Sequence, residues 1–364
     1  MYCMDPFFVP DVSVPCALVE WYKKNARDLP WRHDVTPYRV WVSEIMLQQT
    51  RVETVKPYFR RFLEAFPDVY HLADAQDDRL HKLWEGLGYY SRVRNMKKCA
   101  LELVRSFDGV LPRDPELLKK LPGIGSYTAG AIAAIAYGVP APAVDGNVLR
   151  VLSRLCDSHA DIAQTQVRRA AERTVMQMIP EGAVSEFTQS LFELGATVCL
   201  PGSDAGCESC PVATHCHAHG NGTTAVLPVH SAAAPRKKEQ LTVLLLRENG
   251  RYMLRKRPEK GLLAGLWEFP NISGQADETQ VIEEARKLGF EPLRIRPIPS
   301  AVHIFTHKEW HMTAYLLDGT FEKADVCTAD AAELASVYAL PSAFAAFRAV
   351  AVGESAVCER REMK

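Results

Sequence analysis

The feature that most constrains this chain is a change of hydrophobic period near residues 220–240. Before it, up to about residue 198, apolar residues recur at spacings of three and four, as amphipathic helices require. Trp41, Ile45, Val52, Val55 and Phe59 trace one such stripe, and Val148, Leu149, Val151, Leu152 and Leu155 another. After it, residues 241–247 and 251–256 are β-rich runs separated by Glu248-Asn249-Gly250, where Asn-Gly supplies the positive φ of a tight hairpin. A helix over 278–288, a strand pair at 301–305 and 310–317, and a closing helix over 341–352 complete an α+β pattern. The intervening Gly220-Asn-Gly-Thr-Thr224, Ser231-Ala-Ala-Ala-Pro235 and Arg236-Lys237-Lys238 are small or polar, with no face to bury. The expected organisation is an all-α domain over 1–222, a linker over 223–240, an α+β domain over 241–352 and a tail over 353–364.

Composition narrows the function classes. With 47% hydrophobic and 24% charged residues, the 364-residue chain is neither disordered nor fibrous. No run approaches the roughly 18 apolar residues of a membrane helix. Residues 1–10 carry Asp5 and no basic residue, unlike a secretory leader, so the cytoplasm is the expected compartment and no membrane partner is expected. Lys and Arg number 43 against 44 Asp and Glu, so bulk charge points to no partner. One local exception, residues 86–101, holds Arg92, Arg94, Lys97 and Lys98 without an acid; a solvated helix face and a nucleic-acid contact both explain it. Four of the ten cysteines, Cys199, Cys207, Cys210 and Cys216, fall in one short loop of Gly, Pro, Ser and Asp, too polar to be a core. The spacing is Cys-x7-Cys-x2-Cys-x5-Cys, and four thiolates suit zinc or a 4Fe-4S cluster, which softness alone does not separate.

Leu121-Pro122-Gly123-Ile124-Gly125-Ser126-Tyr127-Thr128-Ala129-Gly130 lies between two helical stretches. Its glycines let the turn reverse tightly and leave backbone N–H groups uncovered at a helix start, a ready phosphate site. Gly-x-Gly alone serves equally as a plain turn, but the Leu-Pro-Gly-Ile-Gly-x-x-Thr-Ala context is that of the helix-hairpin-helix, which grips a phosphate without reading sequence.

Together with Leu29-Pro30-Trp31, the run from Trp41 through Glu44 and Gln49 to Thr50, Gly86-Leu-Gly-Tyr-Tyr90, Val144-Asp145-Gly146-Asn147-Val148 and the cysteine loop, these motifs resemble the MutY family of adenine DNA glycosylases, within the endonuclease III superfamily. The resemblance spans both halves. It implies an all-α helix-hairpin-helix glycosylase domain with an iron-sulfur cluster loop, followed by an α+β Nudix-like (MutT-like) domain. It implies a 4Fe-4S cofactor on the four cysteines, although the family's first cysteine spacing is usually x6. The implied activity is base excision repair: hydrolysis of the N-glycosidic bond of adenine opposite 8-oxoguanine, or G, in duplex DNA. A bacterial, nucleoid-associated monomer is expected. A relative with another damage preference and a catalytically silent lesion-binding protein are the alternatives; the presence of both Glu44 and Asp145 speaks against the second.

The resemblance makes Glu44 the general acid that protonates adenine N7. On its own chemistry Glu44 stands amid Trp41, Val42, Ile45, Met46 and Leu47, where desolvation raises a carboxyl pKa; the plain alternative is a solvated stripe with Gln48 and Arg51. Asp145 is implied to stabilise positive charge at the sugar C1′, although it also reads as a simple helix N-cap. In bifunctional relatives the position of Tyr127 is a lysine that forms a Schiff base, which a phenol cannot do. The expectation is therefore a monofunctional enzyme in which Tyr127 and Asn147 help position Asp145 and the attacking water. Trp31, Arg32, Leu47, Val52 and Gln189 match the adenine pocket, with core packing an equal reading for Trp31, Leu47 and Val52. Gln49 and Tyr89 match residues that intrude beside 8-oxoguanine after base flipping, and Gly123 and Gly125 the phosphate grip. Phe305-Thr306-His307 matches the loop that inspects the oxidised base, Thr306 standing in for Ser. Residues 265–290 retain Glu283 and Glu284 but lack the Arg-Glu-x-x-Glu-Glu core of Nudix hydrolases, so recognition is the expected role of this domain.

Overall fold

The computed structural model describes residues 6–231, 235–322 and 325–362. Contacts divide the chain into two units, 1–74 with 94–232 and 75–93 with 233–364. The first unit thus leaves out residues 75–93, which the expected all-α domain over 1–222 includes, and runs on to residue 232. Residues 223–231, expected as linker, are held by the first unit: the Leu227 and Val229 carbonyls accept from Arg154 Nε and the Ile162 N–H, and Ser231 bonds Asp161. Residues 232–234 of that linker lie outside the described residues.

The first unit is helical, with Ser13–Asn25, Pro37–Leu47, Val52–Ala65, Gly146–Leu155, Thr165–Met178 and Val184–Thr197 among its helices. The stripe expected from Trp41 to Phe59 is two helices broken at Gln48–Arg51; Trp41, Ile45, Val55 and Phe59 are buried, while Val52 is only half-buried. Gly146–Leu155 departs from a stripe altogether, since every side chain from Val148 to Leu155 is buried, Arg150 and Arg154 included. It is the central helix of a core that also takes Leu18, Phe187, Leu191 and Leu194. Burying a side chain of that size contributes about 1.5–3 kcal/mol, which holds a ten-residue helix too short to persist alone.

In the second unit the strands are β1 (Lys237–Glu248), β2 (Arg251–Met253), β3 (Arg255–Lys256), β4 (Trp267–Glu268), β5 (Asn271–Ser273), β6 (Phe290–Ile304), β7 (Lys308–Phe321) and β8 (Thr328–Ala329). The main sheet runs β6-β7-β1-β2-β8, with β5 on β1, and β3 pairs with β4 apart from it. The Asn249-Gly250 turn has both residues at positive φ, as the dipeptide predicts. The run 251–256 is two strands in two sheets rather than one, and β1 starts four residues early, in the basic stretch expected as linker. β1 and β7 pair in parallel, an arrangement no local pattern announces. The helix Glu278–Lys287 starts on a capping box between Asp277 and Gln280. The closing helix begins after the turn Ser342–Phe344 and continues to Glu362, through most of the expected tail; residues 363–364 lie outside the described residues.

Candidate active site

A cavity of about 630 Å³ opens in the first unit, and Trp31, Arg32, Glu44, Leu47, Gln49, Val52, Gly125, Tyr127, Asp145, Asn147 and Gln189 all line it. Nine of these are the expected catalytic and adenine-pocket residues, brought together from five places in the chain. Leu47 and Val52 face it because the chain turns between their helices, which leaves neither fully buried.

Glu44 lies in Pro37–Leu47, a helix started by Thr36, whose side chain accepts from the Arg39 N–H. It is 5% exposed, and burial pushes its carboxyl up to about 7, against a hydrogen bond from Tyr127; the Asp145 charge adds to the rise and Arg32 opposes it. The Tyr127 hydroxyl donates to Glu44 Oε2 at 2.5 Å. That bond joins Tyr127 to Glu44, and the Asp145 charge also acts on the phenol, while its ring lies 5.7 Å from that of Phe192. Burial, with the neighbouring carboxylates, holds the phenol protonated far above its ordinary range.

Asp145 is the N-cap of Gly146–Leu155, its Oδ1 accepting from the Val148 N–H at 2.8 Å. Its other oxygen accepts from Asn147 Nδ2 at 2.9 Å, so the cap and the cavity-lining carboxylate are one residue. Burial raises its pKa, and the bonds from Val148 and Asn147 oppose the rise.

One wall of the cavity holds a network that the sequence alone did not single out. Glu193, 1% exposed, takes Arg27 Nε at 2.6 Å and Arg32 NH2 at 2.7 Å. Burial would raise this carboxyl, but the two guanidinium groups hold it below the ordinary range. Arg32 Nε and the Tyr22 hydroxyl both donate to Gln189 Oε1, at 3.2 and 2.9 Å, and Gln189 Nε2 donates to Ser185 Oγ at 3.2 Å, which leaves one amide N–H as what Gln189 offers a ligand. Glu193 carries the same signal as Glu44, a carboxylate among Leu191, Phe192 and Leu194, and that signal could have found it.

In the hairpin, Gly123 has φ 77 and its absent Cβ would stand 2.6 Å from that of Asn95. Gly125 is the N-cap of Ser126–Ala131, and nothing lies within 4 Å of where its Cβ would be, so the backbone there is open to a ligand. Gln49 and Tyr89, the expected intruding residues, are both exposed and both left-handed, at φ 56 and 47. Such backbone is costly for residues other than Gly, Asn or Asp and clusters at functional sites.

The four cysteines line one small cavity with Arg154 and His219. Arg154 is 1% exposed, donates to Cys199 Sγ at 3.3 Å and to the Leu200 and Gly202 carbonyls, and its own carbonyl accepts from Cys216 Sγ. A buried guanidinium whose partners here are sulfur and carbonyl oxygen fits an anionic group held by the thiolates. Among the described residues no three Cys, His, Asp or Glu side chains are gathered around a single-ion site. Arg150 links this loop to the Asp145–Asn147 segment, donating to the Cys199 carbonyl at 2.8 Å and to Asn147 Oδ1 at 2.9 Å.

In the second unit Thr306 and His307 are exposed at the β6–β7 tip, closed by the Phe305 N–H to Lys308 carbonyl bond. Phe305 anchors the tip between His303 and Trp310. Thr306 Oγ1 lies 3.0 Å from the Tyr89 hydroxyl, so two residues 217 apart in sequence meet.

Residues 42–177 match the HhH-GPD superfamily of base excision DNA repair proteins, and residues 242–349 the NUDIX domain. The adenine DNA glycosylase of Arabidopsis thaliana is 37% identical over 81% of this chain, which spans 55% of that relative. That of Mus musculus is 34% identical over 82% of this chain and 69% of its own length. The chain belongs to the adenine DNA glycosylase family. The helical half of this family member shares its fold with a thermostable thymine-DNA glycosylase, at TM-score 0.51 and 24% identity over 57% of this chain and 96% of that one. Among the described residues of this adenine DNA glycosylase homologue, no helix is long and apolar enough to cross a membrane.

Proposed function

We propose that this chain removes adenine opposite 8-oxoguanine, and opposite G, from duplex DNA as a monofunctional glycosylase. The observation that carries the reading is a buried carboxyl with its pKa near 7, Glu44, sharing one cavity with Asp145. Adenine leaves a sugar reluctantly as an anion, so Glu44, protonated near neutrality, delivers its proton to N7 as the glycosidic bond breaks. Asp145, whose two oxygens accept from the Val148 N–H and Asn147 Nδ2, is the carboxylate beside C1′ that stabilises the oxocarbenium-like charge developing there. Two carboxyls in one cavity, one bonded by a phenol and the other by a backbone N–H and an amide, suit acid-assisted glycosidic cleavage.

Trp31, Leu47 and Val52 supply apolar walls for the flipped base, and Arg32 and Gln189 its polar edge. The Gly123–Gly125 turn takes a phosphate, while Gln49 and Tyr89 enter the stack; their left-handed backbones support that role. Thr306 and His307 read the opposite base, where oxidation turns guanine N7 from an acceptor into a donor that a hydroxyl can accept. Cys199, Cys207, Cys210 and Cys216 hold a 4Fe-4S cluster, a reading supported by their shared cavity and the buried Arg154. When bound, the cluster would brace the 199–216 loop.

Single-turnover excision on duplexes carrying A opposite 8-oxoguanine, G, C or T tests the reading. The expected order puts 8-oxoguanine first and G second, without strand scission before alkali. Efficient borohydride trapping of wild-type chain on DNA would contradict the monofunctional assignment.

A further inference from the structure

Residues 75–93 fall within the glycosylase family match, yet they share a structural unit with residues 233–364. The helix Asp77–Trp84 and its C-cap Glu85 show how. Asp78, Lys82 and Glu85 are spaced i, i+4, i+7 and share one helix face. Asp78 Oδ1 accepts from Lys256 Nζ at 3.0 Å and from Trp267 Nε1 at 3.2 Å. Lys82 Nζ donates to the Tyr338 carbonyl at 3.1 Å and to Glu85 Oε2 at 2.6 Å. Glu85 Oε1 accepts from Arg348 at 2.7 Å and from the Leu340 N–H at 3.3 Å. The anchor at Glu85 is largely shielded, its side chain being 17% exposed.

Four residues beyond Glu85 stands Tyr89. The turn between them is fastened by Trp84 Nε1 donating to the Gly88 carbonyl at 3.0 Å and by Arg92 donating to the Leu87 and Gly88 carbonyls. Tyr89 then meets Thr306. An exposed aromatic held in left-handed backbone is ordered only if its surroundings over-determine it, and here the constraint comes from both sides.

We propose that the Asp78–Lys82–Glu85 face is a positioning element for opposite-base discrimination: it holds the 86–90 turn so that Tyr89 and Thr306 present one fixed surface to the base opposite adenine. None of the three residues touches DNA in this role; they act through Tyr89. The proposal rests on the lesion-reading role proposed above for Thr306.

The test is single-turnover excision on duplexes carrying A opposite 8-oxoguanine and A opposite G, for wild type, Glu85→Ala, Glu85→Gln, Arg348→Ala, Thr306→Ala and the Glu85→Ala/Thr306→Ala double variant. Glu85→Ala is expected to lower the 8-oxoguanine-to-G rate ratio about tenfold, a mid-range coupling for contacting residues, with the rate opposite G unchanged. Glu85→Gln, which keeps both acceptor bonds at Oε1, retains most of the ratio. Arg348→Ala reads the same contact from its other side, should Glu85→Ala fold poorly. The double variant is expected to be no worse than Thr306→Ala alone. An unchanged ratio in Glu85→Ala and Arg348→Ala, equal losses on both duplexes, or additive losses in the double variant overturn the proposal. If Thr306→Ala lowers the ratio and the anchor variants do not, the positioning role falls alone; if Thr306→Ala leaves it unchanged, the lesion-reading role falls and takes this one with it.

Discussion

Glu44 concentrates the pH behaviour of the site. Its carboxyl titrates near 4.5 without the fold and at about 7 within it, so between those values the folded state holds a proton that the unfolded chain releases. Stability from this group is fully present below about pH 4.5 and is lost as pH rises through 7. Glu44→Gln removes the titration: its Tm should match wild type at about pH 4 and exceed it at about pH 8, by scanning calorimetry. The same variant should bind mismatched DNA yet excise adenine about a hundredfold or more slowly, since the amide cannot donate the proton. In wild type the excision rate should fall as pH rises through 7. Tyr127→Phe deletes a bond that lowers the Glu44 pKa, so that limb should move to higher pH; a limb that stays put would detach the phenol from the acid. At this scale the carboxyls were legible, because a lone Glu in an apolar run is a local signal. The bond from Tyr127, 83 residues away, was not.

Two glycines of the hairpin separate folding from binding at the scale of the element. A Cβ on Gly130 would stand 2.1 Å from the Pro142 carbonyl oxygen, a backbone atom that cannot step aside. Gly130→Ala should therefore cost about 1–3 kcal/mol of stability, read as a lowered Tm. Gly125→Ala meets open space at φ −89, a conformation Ala adopts freely, so stability should hold while the added methyl crowds an approaching phosphate. Its DNA affinity should fall on matched and mismatched duplexes alike, by fluorescence anisotropy. The cysteine loop is the second functional element. Cys207→Ser should lower iron content and the broad absorption near about 400 nm in anaerobically prepared protein, and weaken DNA binding. Stoichiometric zinc in the native chain would end the iron assignment. The loop's cysteines were plain from spacing, whereas Arg154 as their buried partner was hidden in what reads as an ordinary helix stripe.

For the molecule as a whole, the residues proposed for recognition and those proposed for chemistry lie in different units, since Thr306 and Tyr89 belong to one and Glu44 and Asp145 to the other. Changes to the first pair should alter which adenines are excised more than whether adenine is excised. Thr306→Ala with His307→Ala is expected to reduce the preference for A opposite 8-oxoguanine over A opposite G, the size of one lost contact, about 1–3 kcal/mol, while residual excision remains. Equal losses on both duplexes would reduce the second unit to a source of general affinity.

Legible in the residues alone are the short-range features: a helical half and a sheet-bearing half, the Asn249-Gly250 hairpin, the glycine hairpin and the four-cysteine loop. Each is written within a few residues, where hydrophobic period and turn chemistry act. Only the tertiary structure decided the parallel pairing of β1 with β7, the break of one stripe into two helices around the cavity, the clamp of Glu193 on Arg27 and Arg32, and the place of residues 75–93 in the second unit. These depend on partners up to hundreds of residues apart. Their geometry comes from side chains packing in three dimensions, which the local pattern around either partner does not encode.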